Sequence, residues 1–201
     1  MTDLKFIEAA VDAQAERILD ANDRIWEYAE PPFKEMQSSA LLGRLLKEAG
    51  FTVETGLAGI PTCFTGTFVF GTGKPVMGIL GEYDALPGLS QEAALPVKKE
   101  REAGGFGHGC GHCVLGAASL AAEIAVKNYL EEFKKDGTII YFGCPAEEGA
   151  GSKQFMTRAG LFDNVDFVYT WHPSTVNRVA PSSSNAIMGA DFSFRGITAH
   201  A

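Results

Sequence analysis

The sequence is poor in positive charge and has no run of basic residues. Its 17 Lys and Arg are outnumbered by 25 Asp and Glu, which gives a formal net charge of -8 and a pI of about 5.0. Proteins that bind nucleic acids usually carry a basic patch or stripe. We therefore expect a partner other than nucleic acid.

Long uncharged apolar runs are also missing. A membrane-spanning helix needs roughly 18 or more apolar residues, and the nearest candidate, residues 114–126, is interrupted by Glu123. Residues 1–5 lack the basic region followed by an apolar core that is typical of signal peptides. We expect a cytoplasmic protein without a membrane partner.

Cysteine is scarce, with four residues in 201. This number is too low for a disulfide scaffold, so we expect reduced thiols. Cys63 and Cys144 lie in or beside apolar strands and are interpreted as small buried hydrophobic residues. Cys110 and Cys113 have the C-x-x-C spacing of redox motifs, but such motifs usually open a helix in a thioredoxin-like unit, and no such unit surrounds them.

Apolar periodicity divides the chain into alternating helices and strands. The predicted helices are residues 3–30, 34–49, 111–132 and 152–159. The predicted strands are residues 51–54, 62–70, 75–80, 138–143, 166–170, 177–188 and 190–194, and residues 89–107 are predicted to form a long loop. Alternation of this kind favours an α/β layered fold. Wholly apolar strands such as residues 75–80 are typical of a mainly parallel sheet buried on both faces.

The side chains able to bind a metal follow the carboxyl ends of the predicted strands or begin a helix. In order along the chain they are Glu82, Asp84, Cys110, His112, Glu147, Glu148 and His172. Ligands of open α/β sheets bind beyond the carboxyl ends of the strands. We therefore predict that these groups meet at one edge of the sheet.

Their chemistry fits a divalent metal ion. Thiolate, imidazole and carboxylate ligands suit Zn²⁺, and Mn²⁺ or Co²⁺ becomes possible where oxygen ligands dominate. Glu147 and Glu148 are adjacent, so one carboxylate can bind metal while the other reaches the bound water, whose pKa a metal lowers to roughly 7. Each group also has a simpler interpretation: the glutamates as a solvated pair, His172 as a half-buried hydrogen-bonded residue, and His108 as a support rather than a ligand.

Four segments together resemble the metallopeptidase family M20, in its amidohydrolase branch. They read GEYDALPGLS at residues 81–90, GHGCGH at 107–112, PAEEG at 145–149 and WHP at 171–173. The resemblance extends over nearly the whole chain. It implies a three-layer α/β/α catalytic domain with a mainly parallel mixed sheet, like that of zinc peptidases, over residues 1–186. Residues 187–201 would then begin a smaller α+β lid and dimerisation domain.

The resemblance also implies a role for each matching residue. Two divalent metal ions, zinc or manganese, would be bound by Cys110, His112, Glu148 and His172. Glu147 would be the general base and Asp84 would orient a histidine ligand. His200 would reach across from a partner subunit and steady the substrate carbonyl. The partners implied are a small amide substrate and a second subunit, in a homodimer or a heterodimer.

Two features depart from the family pattern. Cys113 stands where the family usually has Asp or Asn, which affects the hydrogen bonding around the ligands. Family members are also much longer, and their last metal ligand is expected beyond Ala201.

The sequence thus predicts a metal-dependent amidohydrolase that cleaves an N-acyl or aroyl amino acid, or a dipeptide, through metal-activated water. The first alternative is a catalytically incompetent fragment or non-catalytic subunit of such an enzyme. The second is a cysteine hydrolase that uses Cys110 with a histidine, in which the glutamate pair would have no role.

Overall fold

The computed structural model describes residues 2–149, 151–179, 183, 185–197 and 200. Its helices are α1 Asp3–Asp12, α2 Ala15–Tyr28, α3 Met36–Glu48, α4 His112–Phe133 and α5 Ser152–Arg158, with a short 3₁₀ helix at Leu57–Gly59. Its strands are β1 Thr52–Thr55, β2 Phe64–Phe70, β3 Val76–Glu82, β4 Leu86–Pro87, β5 Phe106–Gly107, β6 Gly137–Cys144 and β7 Phe167–Tyr169. Most predicted elements are confirmed within a few residues.

A five-stranded mixed sheet with the order β1-β2-β6-β3-β7 forms the middle layer. The pairs β1–β2 and β2–β6 are antiparallel, whereas β3 lies parallel to both β6 and β7. The parallel pairing predicted from the apolar strands is therefore found at β3, β6 and β7. In the short second sheet, β4 pairs antiparallel with β5 at the two ends of the long loop.

Hydrophobic clusters cover both faces of the sheet, as a three-layer fold requires. Successive strand residues point to opposite faces, and Tyr141 and Phe142 of β6 accordingly belong to different clusters. Tyr141 packs with residues of α2, α3 and α4. Phe142 packs with Leu80 and with Met156 of α5. The predicted three-layer α/β/α architecture is confirmed.

The first predicted helix is in fact two helices. The expectation of one helix over residues 3–30 is wrong because the backbone of Gln14 leaves the helical region, with φ -110° and ψ 2°. The side-chain amide of Gln14 donates to the carbonyl of Ala10 at 3.1 Å and occupies an acceptor in the last turn of α1. None of the α1 residues is buried, whereas α2 buries Ala21 and Ile25.

The two predicted strands after residue 176 are wrong for the residues that the structure describes there. Residues 177–179, 183 and 185–194 form no strand, and side chains such as Ile187, which is 97% exposed, and Phe192, which is 80% exposed, pack on nothing. A strand is stable only when it pairs with a neighbour and buries a face. The edge strand β7 has three residues, all exposed, and pairs only with β3 among the described residues.

Helix α4 is long and apolar enough to cross a membrane, by length and composition alone. The core helix of a globular domain passes the same test, and 61% of the apolar window of α4 is buried inside the structure. Its buried residues include Leu115, Ala117, Leu120 and Ile124. In this fold α4 is the central helix of one layer.

The parallel strands bring the predicted site residues to one edge. β3 ends at Glu82 and β6 at Cys144, and these two residues are register partners. Asp84 follows the first strand, the segment 145–149 follows the second, and α4 begins at His112. The predicted meeting of polar side chains at the carboxyl edge is therefore observed.

Candidate metal centre

His112 is the central residue of the site and is completely buried, with 0% exposure. Its Nδ1 lies 2.7 Å from Oδ1 of Asp84, which is itself 1% exposed. A carboxylate can only accept, so Nδ1 carries the proton, and in the neutral imidazole Nε2 is the nitrogen with the free lone pair. Burial lowers the pKa of His112, but the hydrogen bond and charge of Asp84 and the charge of Glu82 outweigh it and raise the pKa.

The turn before α4 sets this orientation. Gly111 has φ 81°, in the left-handed region that glycine occupies without strain, and a Cβ there would lie 3.0 Å from Cγ of Pro173. The helix can therefore begin at His112 directly beside the segment that carries His172.

The free nitrogen of His112 faces carboxylate groups. Its Nε2 lies 3.0 Å from Oε2 of Glu82, 3.8 Å from Oε2 of Glu147 and 4.0 Å from Oε1 of Glu148. Neither Nε2 of His112 nor Oε1 of Glu148 has a hydrogen-bond partner among the described residues, although both atoms are buried. Burial, and then the charge of Glu82, raise the pKa of Glu147. Such a convergence of lone pairs is stabilised by a cation.

Cys110 and His172 also lie next to His112. Sγ of Cys110 lies 3.1 Å from Nε2 of His172, and the rings of His112 and His172 meet edge to face at 5.9 Å between centroids. Nδ1 of His172 donates to the carbonyl of Pro173 at 2.8 Å, which leaves its Nε2 directed at the cysteine. Burial and the neighbouring Glu148 raise the pKa of the Cys110 thiol to about 12.

Two groups of three potential ligands result, and they share His112. One comprises Cys110, His112 and His172, and the other comprises Glu82, His112 and Glu147, with the ligand atoms of each group within 4.8 Å of one another. Sulfur, nitrogen and oxygen donors in this combination suit a borderline-soft divalent ion. The donors present therefore fit divalent metal ions.

The segment that carries the two glutamates is fastened at its backbone. The amide of Glu148 donates to Oδ2 of Asp84 at 2.8 Å, while Oδ1 of Asp84 holds His112. One buried carboxylate thus sets the position of both α4 and the glutamate segment. The side chain of Glu147 is 42% exposed and is the part of this segment open to a substrate.

Two residues of the site were given no individual role from the sequence, although Glu82 was among the candidate metal-binding side chains. Glu82, which the sequence places at a strand end, reaches Nε2 of His112 with one oxygen, and Nζ of Lys153 in the first turn of α5 donates to its other oxygen. Since β3 extends to Glu82, the i, i+2 spacing of Glu82 and Asp84 places both on one face of an extended chain. That spacing could have assigned Glu82 to the site from the sequence alone. No sequence pattern around Lys153 indicates that it belongs to the site.

The remaining predicted residues lie apart from the two ligand groups. His108 bonds through Nε2 to the carbonyl of Ile25 at 3.0 Å, so it braces the segment against α2. Cys113 is buried in the core beside α2 and α3. His200 is exposed and lies outside any helix or strand, and residues 198, 199 and 201 of its predicted lid segment lie outside the described residues.

The cysteines favour metal binding over the two alternatives. All four thiols are free, so Cys110 and Cys113 do not form a disulfide. Burial and the neighbouring Glu148 raise the pKa of the Cys110 thiol, which disfavours the thiolate that a nucleophilic or redox-active cysteine needs without a metal. A divalent ion deprotonates a thiol that coordinates it, and the ligand groups around His112 could hold such an ion.

Comparison with known proteins places this site in a family. The sequence profile of peptidase family M20/M25/M40 matches residues 78–186, which include all six residues that meet around His112. The chain belongs to this family. The expectation drawn from the four sequence segments is thereby confirmed.

Relatives and solved structures of the M20 family agree with this assignment. The chain is 45% identical, over 98% of its length, to a subunit of the p-aminobenzoyl-glutamate hydrolase of Escherichia coli. It is 29% identical to the Xaa-Arg dipeptidase of Homo sapiens over 83% of its length. A dinuclear metal-binding M20 peptidase of Bacillus subtilis shares the fold, with a TM-score of 0.64 at 23% identity over 81% of this chain and 44% of that one.

The M20 chain is shorter than these relatives. It spans 40% of the Escherichia coli protein and 38% of the human dipeptidase. The matched part nevertheless contains the whole arrangement around His112.

Proposed function

We propose that the protein is a metal-dependent amidohydrolase that cleaves the amide bond of an N-acyl or aroyl amino acid. One observation carries the proposal: Nε2 of buried His112, freed by Asp84, points into a cluster of carboxylates that lies beside Cys110 and His172. Burying so many acceptors together is costly unless a cation joins them. Membership of the M20 family supports the same interpretation.

The proposed ligands are Cys110, His112, Glu148 and His172. Together with Glu82 they give five donors around His112, and we propose two divalent ions, zinc or manganese. A divalent ion at such a site is a Lewis acid that lowers the pKa of water to roughly 7.

The chain's own residues would then handle protons and positions. Glu147 is the proposed base: it accepts a proton from the attacking water and returns it to the leaving nitrogen, and its partly exposed carboxylate can reach both. Asp84 keeps the proton of His112 on Nδ1, so that Nε2 remains a ligand. Glu82 and Lys153 pair beside them and place a fixed positive charge near the carboxylates.

The proposed substrate class follows from the named relatives. The Escherichia coli relative is a subunit of a p-aminobenzoyl-glutamate hydrolase, so p-aminobenzoyl-glutamate is the first candidate. The more distant Xaa-Arg dipeptidase makes a dipeptide the second candidate.

Oligomerisation would complete the site. We propose that residues 187–201 open a lid and dimerisation domain after a catalytic domain of residues 1–186, and that His200 reaches the substrate of a partner subunit. The Escherichia coli relative is named as one subunit of a hydrolase, which supports assembly with a second subunit. We propose a homodimer or a heterodimer.

The test is hydrolysis by the natural full-length protein in the presence of zinc or manganese. p-Aminobenzoyl-glutamate, an N-acetyl amino acid and a dipeptide are incubated separately, and release of the free amino acid is measured by chromatography. We expect turnover of the aroyl substrate that is lost on chelation. Tight metal binding without turnover of any of the three would instead support the alternative of a non-catalytic subunit.

A further inference from the structure

Glu35 is a fully buried carboxylate, 0% exposed, just before α3. Its side chain makes no cap of that helix. Instead Oε1 accepts from the backbone amides of Phe33 at 2.9 Å and Ala146 at 2.8 Å, and Oε2 accepts from the hydroxyl of Thr62 at 2.9 Å. The bond to Ala146 spans 111 residues of sequence.

Ala146 directly precedes the proposed base. It has φ 56°, a left-handed conformation that costs a non-glycine residue free energy and persists only where its surroundings impose it. Its amide is held by Glu35, and the amide of Glu148 is held by Asp84. The backbone of Glu147 is therefore fastened on both sides, although its side chain is partly exposed.

The same carboxylate is connected to the neighbouring strand end. Thr62, which donates to Glu35, accepts at its own carbonyl from the hydroxyl of buried Tyr83 at 2.7 Å. Tyr83 lies between Glu82 and Asp84. Glu35 thus anchors a buried network that touches both carboxylate-bearing segments of the site without contacting any of the potential ligand atoms.

We propose that Glu35 is a positioning residue of the hydrolase, which fixes the backbone of residues 145–149 and thereby places Glu147 for proton transfer. This inference rests on the proposed function, because it gives Glu35 a role in that reaction. A displacement of about 1 Å at a reacting group can cost roughly 10²-fold in rate.

Glu30 supplies a matched control. It too is a buried glutamate in the same connecting segment, and its carboxylate accepts from the amides of Gln37 and Ser38 and from the Ser38 hydroxyl. Among the described residues its side chain bonds only to Gln37 and Ser38 at the start of α3, and no bond to Ala146 is found there. Loss of Glu30 therefore reports the general cost of removing a buried carboxylate.

The experiment measures kcat, KM and melting temperature of the full-length protein for Glu35→Ala, Glu35→Asp, Glu35→Gln and Glu30→Ala. We expect Glu35→Ala to lower kcat by about 10²-fold with a much smaller change in KM. Glu35→Gln should recover most of this loss, because its amide oxygen can still accept from Ala146 and its amide group can donate to Thr62. Glu30→Ala should lower the melting temperature but retain kcat.

Glu35→Asp keeps the charge but is one methylene shorter, so it tests the inference even where Glu35→Ala does not fold. A wild-type kcat in Glu35→Asp, or equal losses of kcat in Glu35→Ala and Glu30→Ala, would overturn the inference. If the wild type hydrolyses none of the substrates, the proposed function fails. The positioning role of Glu35 is then tested by competition with a chelator for bound Zn²⁺. Weaker binding in Glu35→Asp but not in Glu30→Ala would support positioning of the segment, and equal affinities would refute it.

Discussion

Replacing Asp84 with asparagine should weaken metal binding, because the Asp84 carboxylate accepts from two parts of the site. Oδ1 of Asp84 accepts from Nδ1 of His112 at 2.7 Å, and Oδ2 accepts from the amide of Glu148 at 2.8 Å. Asparagine has almost the same shape but only one acceptor oxygen. Its amide group must therefore face one of the two donors.

Both orientations harm the metal site. An amide group facing His112 moves the histidine proton to Nε2, the atom that faces the carboxylates. An amide group facing Glu148 places two donors together and displaces the glutamate segment. A hydrogen bond to a charged group contributes about 1.5–3 kcal/mol, and at about 1.4 kcal/mol per decade this corresponds to roughly ten- to a hundredfold in metal affinity. Losses of the same size are typical when the partner of a metal-binding histidine is removed.

The assay is competition between the full-length protein and a chromophoric chelator for Zn²⁺. Asp166→Asn is the control, because Asp166 also accepts from a backbone amide, that of Val76 at 2.7 Å, but lies away from the site. We expect weaker zinc binding only in Asp84→Asn. Equal zinc affinities in the wild type and Asp84→Asn would refute the role assigned to Asp84.

Three further outcomes follow from the structure. Glu147→Gln should lower kcat by roughly 10²–10⁴-fold while metal content stays constant, whereas Glu131→Gln on the exposed side of α4 should change neither; metal analysis alongside the hydrolysis assay checks both. Dialysis against a chelator should abolish hydrolysis and zinc or manganese should restore it, and persistence of full activity would rule out the metal. Burial raises the pKa of Glu123 well above 4.5, so the folded state holds a proton that the unfolded state releases. The free energy of unfolding should therefore fall as pH rises from about 4.5 towards the raised pKa of the folded state. Glu123→Gln should remove a slope of up to about 1.4 kcal/mol per pH unit in denaturant titrations, and an unchanged slope would contradict this origin.

The parts of the fold that were predictable depend on local patterns. Apolar runs located β3 and β6, and ligands lie beyond the carboxyl ends of such strands, which is enough to bring Asp84, Glu147 and Glu148 together. Cys110 and His112 were predicted as metal ligands from their side-chain chemistry, because a thiol and an imidazole two residues apart suit a divalent ion.

The parts that were not predictable depend on contacts distant in sequence or on partners. Glu35 and Ala146 are 111 residues apart, and nothing near Glu35 in the sequence indicates the contact. Lys153 reaches the site because α5, which carries it, packs through Met156 against Leu80 of β3. The strands expected after residue 176 failed for the complementary reason: a strand needs a neighbour to pair with, and among the described residues none pairs with this segment.

The most direct test of the account is anomalous X-ray diffraction at the zinc edge from crystals of the full-length protein. We expect peaks bounded by Sγ of Cys110, Nε2 of His112 and of His172, and the carboxylate of Glu148, at the roughly 2.0–2.3 Å distances of zinc–nitrogen, zinc–oxygen and zinc–sulfur bonds. Zinc found elsewhere in an active enzyme, or activity in crystals that show no metal at these residues, would contradict the assignment.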